Sequence, residues 1–335
     1  MVKLHIVTND KVWFSKKNFT SNNDLDNIIS CLIENYDVQL ICRKSLNKLN
    51  FLIKSKFNFC NLKKISEEKL NLLLISISPY NFFILFYLLF FKRVKVKGFV
   101  YLRSDGFLEY KYRYGIIGFY IYFIMFFLIK RYLKIISCSK NFTYVDIKKV
   151  IHPSELTSEW FKKKRKKNTY KFDFLYVGRF KKDKGAIFLS EIFKEKFRNY
   201  KLAIVGTNKN NIKKNFYSKN IIYMNSISNL KNLINIYDSS RIFILPSYIE
   251  GFPKVISESL ARLRPIIVFE DIKYVKNGRD GIFICKRDEK SLRKTIKYIL
   301  KNYKYIQKKI QKNYFYTKKN FQNELLASLN NEFSN

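Results

Sequence analysis

The run IFILPSYIEGFPKVISESLA, residues 242–261, decides how this chain folds. Its first four residues, IFIL (242–245), are apolar without interruption, which suits a strand of a parallel sheet covered on both faces. Pro246, Ser247 and Gly251 supply turn chemistry. Pro253 suits the first position of a helix, where its missing N–H costs nothing. Strand, turn and helix in that order make half of a βαβ unit. The turn also places two carboxylates, Glu250 and Glu258, around a helix start in a chain of net charge +39. The stretch Gly251, Phe252, Pro253, Lys254 and Val255 forms a helix mouth whose free N–H groups can seat a phosphate. Acids aimed at that phosphate would repel it, so the two glutamates make better sense accepting hydrogen bonds from hydroxyls. By residue type alone another reading stays open: Glu250 complements the helix dipole and Glu258 lies on the surface.

The same alternation extends in both directions. On the C-terminal side, FDFLYV (172–177), LAIV (202–205), IIYM (221–224), IIVF (266–269) and IFI (282–284) read as strands. Helical patterns over about 186–197 and 229–239, and from Asp288 onward, separate them. On the N-terminal side, KLHIV (3–7), VQLIC (38–42), LLLISI (72–77), GFVYL (98–102) and KIIS (134–137) read as strands between helical patterns. The fold class expected is α/β: two Rossmann-like, doubly wound domains facing across a cleft. The first domain covers 1–151. Residues 152–171 break composition and carry the basic run Lys162–Lys167, so they read as a linker with a solvated charge face. The second domain covers 172–303, and a helical tail, 304–335, is expected to cross back over the cleft.

Composition bounds the function. At 335 residues, 47% hydrophobic and 17% aromatic, the chain is no disordered polycation. Its basicity implies an anionic partner, yet Lys, Asn, Ile, Phe and Tyr abound together, so compositional bias also accounts for the excess. No nucleic-acid module or basic–aromatic platform is present, and nucleic acid is not an expected partner. Five scattered cysteines form no CxxC pair, and MVKLHIVTND shows no signal-peptide pattern. These set the expectation of a reducing cytoplasm. Leu70–Phe91 is uncharged but breaks at Ser76, Ser78 and Pro79, which reads as strand, turn and helix. GIIGFYIYFIMFFLI (115–129), closed by Lys130 and Arg131, falls short of the about 20 residues of a spanning helix. It reads as core or as a helix docked shallowly on an anionic membrane surface.

The loop VGRFKKDKG (177–185) follows the first strand of the second domain, where ligands of open α/β sheets bind. Arg179 can clamp a diphosphate with its fork and Lys184 as a point charge. Taken with LPSYIEGFPKVISESLA and IIVFEDIKYVKNGRDGIFI, this loop resembles the nucleotide-sugar domain of glycosyltransferase family 4, from about Phe172 to Leu300. The family's E-x7-E pair falls on Glu250 and Glu258. The resemblance implies the GT-B fold and sugar transfer, with retention, from a nucleotide-diphosphate donor to a saccharide acceptor, of the type used in bacterial surface-polysaccharide assembly. It further implies that Arg179 and Lys184 bind the diphosphate, Glu250 the donor sugar and Glu258 the ribose. No essential metal or other cofactor is implied; the donor is a substrate.

The first domain departs from the family. Thr8-Asn9-Asp10-Lys11 stands where a Gly-rich loop is usual, and Arg103-Ser104-Asp105-Gly106 where a histidine is usual. Asp105, after GFVYL, is the expected acceptor-positioning residue, with Arg103, Glu109 and Lys111 as further acceptor-side contacts; a charged surface turn is the plain alternative. His5 reads as a core residue of its strand. Asp24-Leu25-Asp26 matches a metal-binding D-x-D, but it opens a helix after Asn22-Asn23 and reads as an N-cap with an acidic first turn. The expected acceptor is lipid-linked and the expected location cytoplasmic, peripheral on the inner face of the cell membrane. The competing function is a polyanion- or membrane-binding protein on the same scaffold without transfer activity.

Overall fold

The structure is a computed structural model that describes residues 1–333 except 15–18, 50, 54, 143, 146, 163–169 and 208–211. It divides into two compact units, Met1–Pro153 with Lys318–Asn335, and Ser154–Thr317. The boundary therefore falls before Ser154. Trp160, inside the stretch expected to link the domains, is 1% exposed in the core of the second unit. All but the first residue of the basic run Lys162–Lys167 lies outside the described residues.

In the first unit, β1 (Val2–Phe14) is followed by β2 (Phe19–Ser21), α1 (Asn23–Leu32), β3 (Tyr36–Lys44), β4 (Phe51–Ile53) and β5 (Asn58–Phe59). Then come β6 (Lys69–Ile75), α2 (Pro79–Phe86) with a π-turn over Tyr87–Phe91, β7 (Lys95–Leu102), α3 (Gly106–Lys130) and β8 (Lys134–Ser137). The parallel strands run β5-β3-β1-β6-β7-β8. This is the doubly wound order, with strand order reversing between β1 and β6. Thr8–Lys11 is not a loop, as the sequence suggested. It lies within β1, which resumes pairing with β3 at Lys11 after a shift in register. Beyond it, β2 and β4 add short antiparallel pairs. The cap of α1 is Asn22, whose side chain accepts from Leu25 N–H at 2.9 Å, not Asp24. Asp24 and Asp26 both lie in the first turn.

The apolar run 115–129 belongs to α3, which is not one straight rod. Gly115 takes φ +66°, a left-handed conformation natural to glycine, and folds the helix back on itself. Tyr122 then reaches Phe107 and Tyr110, with ring centroids 4.8 and 5.1 Å away. The straight portion after Gly115 ends at Lys130, and the chain returns to β8, the parallel neighbour of β7. α3 is thus the crossover between two adjacent parallel strands of one sheet, the helix of a βαβ unit.

In the second unit, β9 (Phe172–Val177), α4 (Ala186–Lys196), β10 (Leu202–Val205), β11 (Ile221–Met224), α5 (Leu230–Asp238) and β12 (Ser240–Leu245) come first. They are followed by α6 (Lys254–Ala261), β13 (Ile266–Phe269), β14 (Ile282–Cys285), α7 (Glu289–Lys301) and α8 (Tyr303–Ile310). The sheet runs β11-β10-β9-β12-β13-β14, all parallel, again the doubly wound order, reversing between β9 and β12. β9, β10, β12 and β13 are almost wholly buried, as their uninterrupted apolar runs require. The C-terminal tail divides. α8 stays with the second unit, and α9 (Lys318–Phe333) packs on the first, where Tyr36 donates to Asn330 at 2.6 Å.

Candidate functional site

The loops after β9 and β12 emerge side by side at the point where strand order reverses. Open α/β sheets bind ligands there, beyond the carboxyl ends of the strands. Gly185 closes the first loop with φ +67°, and a Cβ there would stand 1.9 Å from the Pro246 carbonyl oxygen. Only glycine lets the two loops approach so closely. The Tyr248 N–H completes the link by donating to Asp183 C=O at 3.0 Å.

This approach brings Lys184 and Glu250 together. Lys184 Nζ donates to Glu250 Oε1 at 2.9 Å, and Ser247 Oγ donates to the same oxygen at 2.6 Å. The two side chains are 21% and 12% exposed, so the pair is partly shielded and open on one side. Arg179, on the same loop as Lys184, is exposed, and its carbonyl accepts from the buried Tyr176 hydroxyl at 2.9 Å. Glu250 is held at its backbone as well: Tyr274 Oη donates to the Glu250 carbonyl and accepts from its N–H.

Gly251, Phe252 and Pro253 lead into α6. Pro253 is the N-cap, one position earlier than the sequence suggested, and Lys254 and Val255 open the helix. Lys254 is engaged with Glu155 at 3.2 Å. Glu258 is not a surface residue. It is 7% exposed on α6, and the fully buried Tyr237 hydroxyl of α5 donates to its Oε2 at 2.8 Å. Burial, reinforced by the neighbouring Glu258, pushes the Tyr237 hydroxyl well above its ordinary pKa, so it stays a donor.

One contributor was invisible in the sequence. Arg287, at the start of the segment after β14, donates to the carbonyls of Pro246 at 2.9 Å and Ser247 at 3.3 Å. Its guanidinium stacks over Tyr248 at 3.9 Å and pairs with Asp271 at 2.6 Å. The turn that carries Glu250 is thus clamped from behind by a cation some forty positions along the chain.

In the first unit, the expected acceptor-side residues are dispersed. Asp105 is 2% exposed and caps α3, accepting from Leu108 N–H at 3.2 Å. Its carboxylate serves the helix and is not an open group at the strand end. Glu109 accepts from Ser104 at 2.8 Å and pairs with Arg113, while Lys111 is exposed. Arg103 turns elsewhere, to Asp10 at 3.0 Å and Ser76 at 3.3 Å. Thr8 Oγ1 donates to Asp10 at 2.9 Å. Asp10, Thr8 and Ser76 therefore gather with Arg103 at the reversal between β1 and β6, where Ser76 adopts φ +65°. Reading Thr8–Lys11 as a loop hid Asp10 from sequence reasoning. His5 lies in β1 at 2% exposure, as a core residue.

Comparison with known proteins fits this geometry. Residues 157–315 match the family described as Glycosyl transferases group 1. Over 138 residues the chain is 31% identical to the capsular polysaccharide biosynthesis glycosyltransferase CapM of Staphylococcus aureus, covering 37% of this chain and 36% of CapM. The chain thus spans about a third of the length of the curated relative it matches. Among solved structures, Anabaena HepE in complex with UDP and glucose superposes with a TM-score of 0.68 at 12% identity, over 98% of this chain and 99% of that one. Sucrose-phosphate synthase from Thermosynechococcus elongatus superposes at 0.64 and 12% identity, over 98% and 95%. Over residues 157–315 the chain is therefore similar to the glycosyl transferases group 1 family, and its two-unit architecture is the GT-B fold.

Proposed function

We propose that this protein transfers a sugar, with retention at the anomeric carbon, from a nucleotide-diphosphate donor to a saccharide acceptor in the assembly of a surface polysaccharide. The observation that carries the proposal is the contact of Lys184 with Glu250, 2.9 Å apart at the mouth of α6. A nucleotide sugar offers that site a diphosphate for the cation and hydroxyls for the carboxylate. Two similar proteins support the substrate class: HepE was solved in complex with UDP and glucose, and CapM is a capsular polysaccharide biosynthesis glycosyltransferase.

In the proposed reaction the acceptor oxygen bonds to the anomeric carbon as that carbon's bond to the β-phosphate oxygen breaks. The acceptor's proton leaves with the departing phosphate oxygen, on the same face. Charge gathers on the diphosphate, and Arg179, Lys184 and the N–H groups at the start of α6 stabilise it. Glu250, freed from Lys184 by the incoming phosphate, accepts from a donor-sugar hydroxyl while Ser247 keeps it oriented. Glu258 accepts from the ribose. No resident metal or cofactor enters this scheme. On the acceptor side we assign Arg103, with Asp10, to positioning. Glu109 and Lys111, on α3, are further acceptor-side candidates in this proposal, and Asp105 acts through its cap of that helix.

The acceptor in this proposal is lipid-linked, and the protein works at the inner face of the membrane. After Gly115, Ile117, Tyr120, Ile124 and Phe127 are 41–68% exposed, and Lys130 and Arg131 follow. Apolar side chains ending in cations suit the boundary of an anionic leaflet.

The test is a thermal-shift screen of nucleotide sugars against the wild-type chain and Lys184→Ala. A donor that stabilises the wild type, with the gain lost in the variant, supports the proposal. Equal stabilisation of both would remove Lys184 from the donor site. Stabilisation by no nucleotide sugar, alongside tight binding of polyphosphate, would favour the polyanion-binding function.

A further inference from the structure

The sheet of the second unit ends at β14, which among the described residues pairs only with β13. Its register shows which main-chain groups face outward. Ile266 N–H donates to the Gly281 carbonyl at 2.8 Å, while Ile266 stands opposite Ile282. In a parallel ladder each residue turns both polar groups to one neighbour, and the side alternates along the strand. Gly281 and Phe283 therefore serve β13, and Ile282 and Ile284 turn their N–H and C=O groups to the open edge.

A groove of about 580 Å³ runs along that edge. Tyr298 and Lys294 of α7 wall it on one side, Tyr305 and Lys309 of α8 on the other, and Lys276 and Arg279 line the approach to the strand. Four cations thus meet a single carboxylate, Asp280, in the lining. Tyr298 and Tyr305 are 52% and 56% exposed, and Ile284 is 38% exposed, so the groove combines apolar surface with positive potential. Arg279 is turned partly inward, donating to Ser257 Oγ at 3.3 Å and to the Val275 carbonyl at 2.6 Å, so the exposed lysines carry most of that potential. Burial pulls its guanidinium down to about pKa 10, and its Nε is enclosed without a hydrogen-bond partner among the described residues.

We propose that this groove receives a short, extended, acidic segment of a partner protein, which adds to β14 as a further strand. Main-chain bonds to Ile282 and Ile284 would supply affinity, and the lysines would select acidic side chains. At about 3.3 Å per residue, β14 offers room for about four residues of such a segment. A second copy of this chain is a poor occupant, because two grooves with the same excess of cations repel. A membrane surface is a poorer one, because a bilayer neither fills a concave groove nor answers main-chain groups on a strand edge. The proposal does not rest on sugar transfer: the open edge of β14 lies two strands from the β9–β12 reversal.

Fluorescence anisotropy with the full chain and a labelled (Glu-Val)4 peptide tests it. Saturable binding is expected, at least tenfold weaker for K294E/K309E and for (Lys-Val)4. It should also be lost when every second peptide nitrogen is methylated. Ile284→Pro should weaken binding without unfolding the chain, because residue 284 donates nothing to β13; a circular-dichroism melt checks the fold. Equal binding of the N-methylated peptide would overturn strand addition. So would no peptide binding together with capture by phosphatidylserine vesicles that K294E/K309E abolishes, which would mark a lipid-binding face.

Discussion

Replacing Lys184 by alanine separates structure from chemistry at the candidate site. The Lys184–Glu250 pair spans 2.9 Å with both side chains mostly covered. Exposed pairs contribute up to about 1 kcal/mol, and breaking a fully buried one costs about 3–5 kcal/mol. This pair lies between, and Ser247 still donates to Glu250 after the change. Lys184→Ala should therefore destabilise the chain by about 1–2 kcal/mol, lowering the melting temperature by about 2–8 °C. The effect on transfer should be much larger. Losing a cation aimed at the leaving diphosphate should lower kcat by about 10²–10³-fold, equivalent to about 2.7–4 kcal/mol. The double variant Lys184→Ala/Glu250→Gln is the decisive control. It removes the stranded carboxylate, so the melting temperature should recover while transfer stays low. Melts by circular dichroism and release of nucleotide diphosphate read the two effects independently. A folded Lys184→Ala with normal donor turnover, or a double variant that regains activity, would refute the assignment.

Three further outcomes follow from the geometry. Arg287→Ala should cost about 2 kcal/mol of stability through its lost carbonyl bonds and stacking. By releasing the turn that carries Glu250 it should also slow donor turnover about 10²-fold, with Arg287→Lys partly restoring stability but not turnover. His5, neutral because burial lowers its pKa, makes the unfolded chain the better proton binder below about pH 6.5. Stability should thus fall with pH from there down to the folded-state pKa, by up to about 1.4 kcal/mol per unit, in urea titrations. His5→Leu should flatten that slope. Ile117→Glu/Ile124→Glu should abolish flotation with acidic liposomes while leaving donor-induced thermal stabilisation unchanged; flotation equal to wild type would remove α3 from the membrane reading.

Features set by local chemistry were legible in the sequence. Apolar runs marked eleven strands, and Pro and Gly marked the turns between them. β2, β4 and β5 escaped because two or three residues carry no period. β1 was cut short because Asn9-Asp10-Lys11 has loop composition, whereas pairing with β3 resumes at Lys11. The fold-back at Gly115 was hidden because a glycine at the head of an apolar run looks like helix until its φ is known. At the site, Lys184 and Glu250 could be found because each sits at the end of a loop that follows a strand. Glu258 could not be placed, because its burial depends on Tyr237 of a different helix. Asp105 was misjudged because the same residue type serves strand ends and helix caps, and Leu108 N–H decides for the cap.

The two units share a device that the net charge of +39 obscures. At each strand-order reversal a carboxylate meets a cation: Asp10 with Arg103 at 3.0 Å, and Glu250 with Lys184 at 2.9 Å. In each pair a hydroxyl also donates to the carboxylate, from Thr8 and from Ser247. Such a pair is neutral while empty, so it tolerates partial burial without a pre-bound counterion. It also fixes what a ligand must bring. Phosphate alone draws the lysine away and leaves Glu250 charged and partly buried; a sugar alone answers Glu250 but must compete with Lys184. A molecule carrying both groups satisfies both partners at once. On the proposed function, the intact nucleotide sugar should therefore bind more tightly than the nucleoside diphosphate or the free sugar, because only it avoids the cost of an unpaired charge. On that same proposal the acids of this basic chain set selectivity, and its cations set attraction.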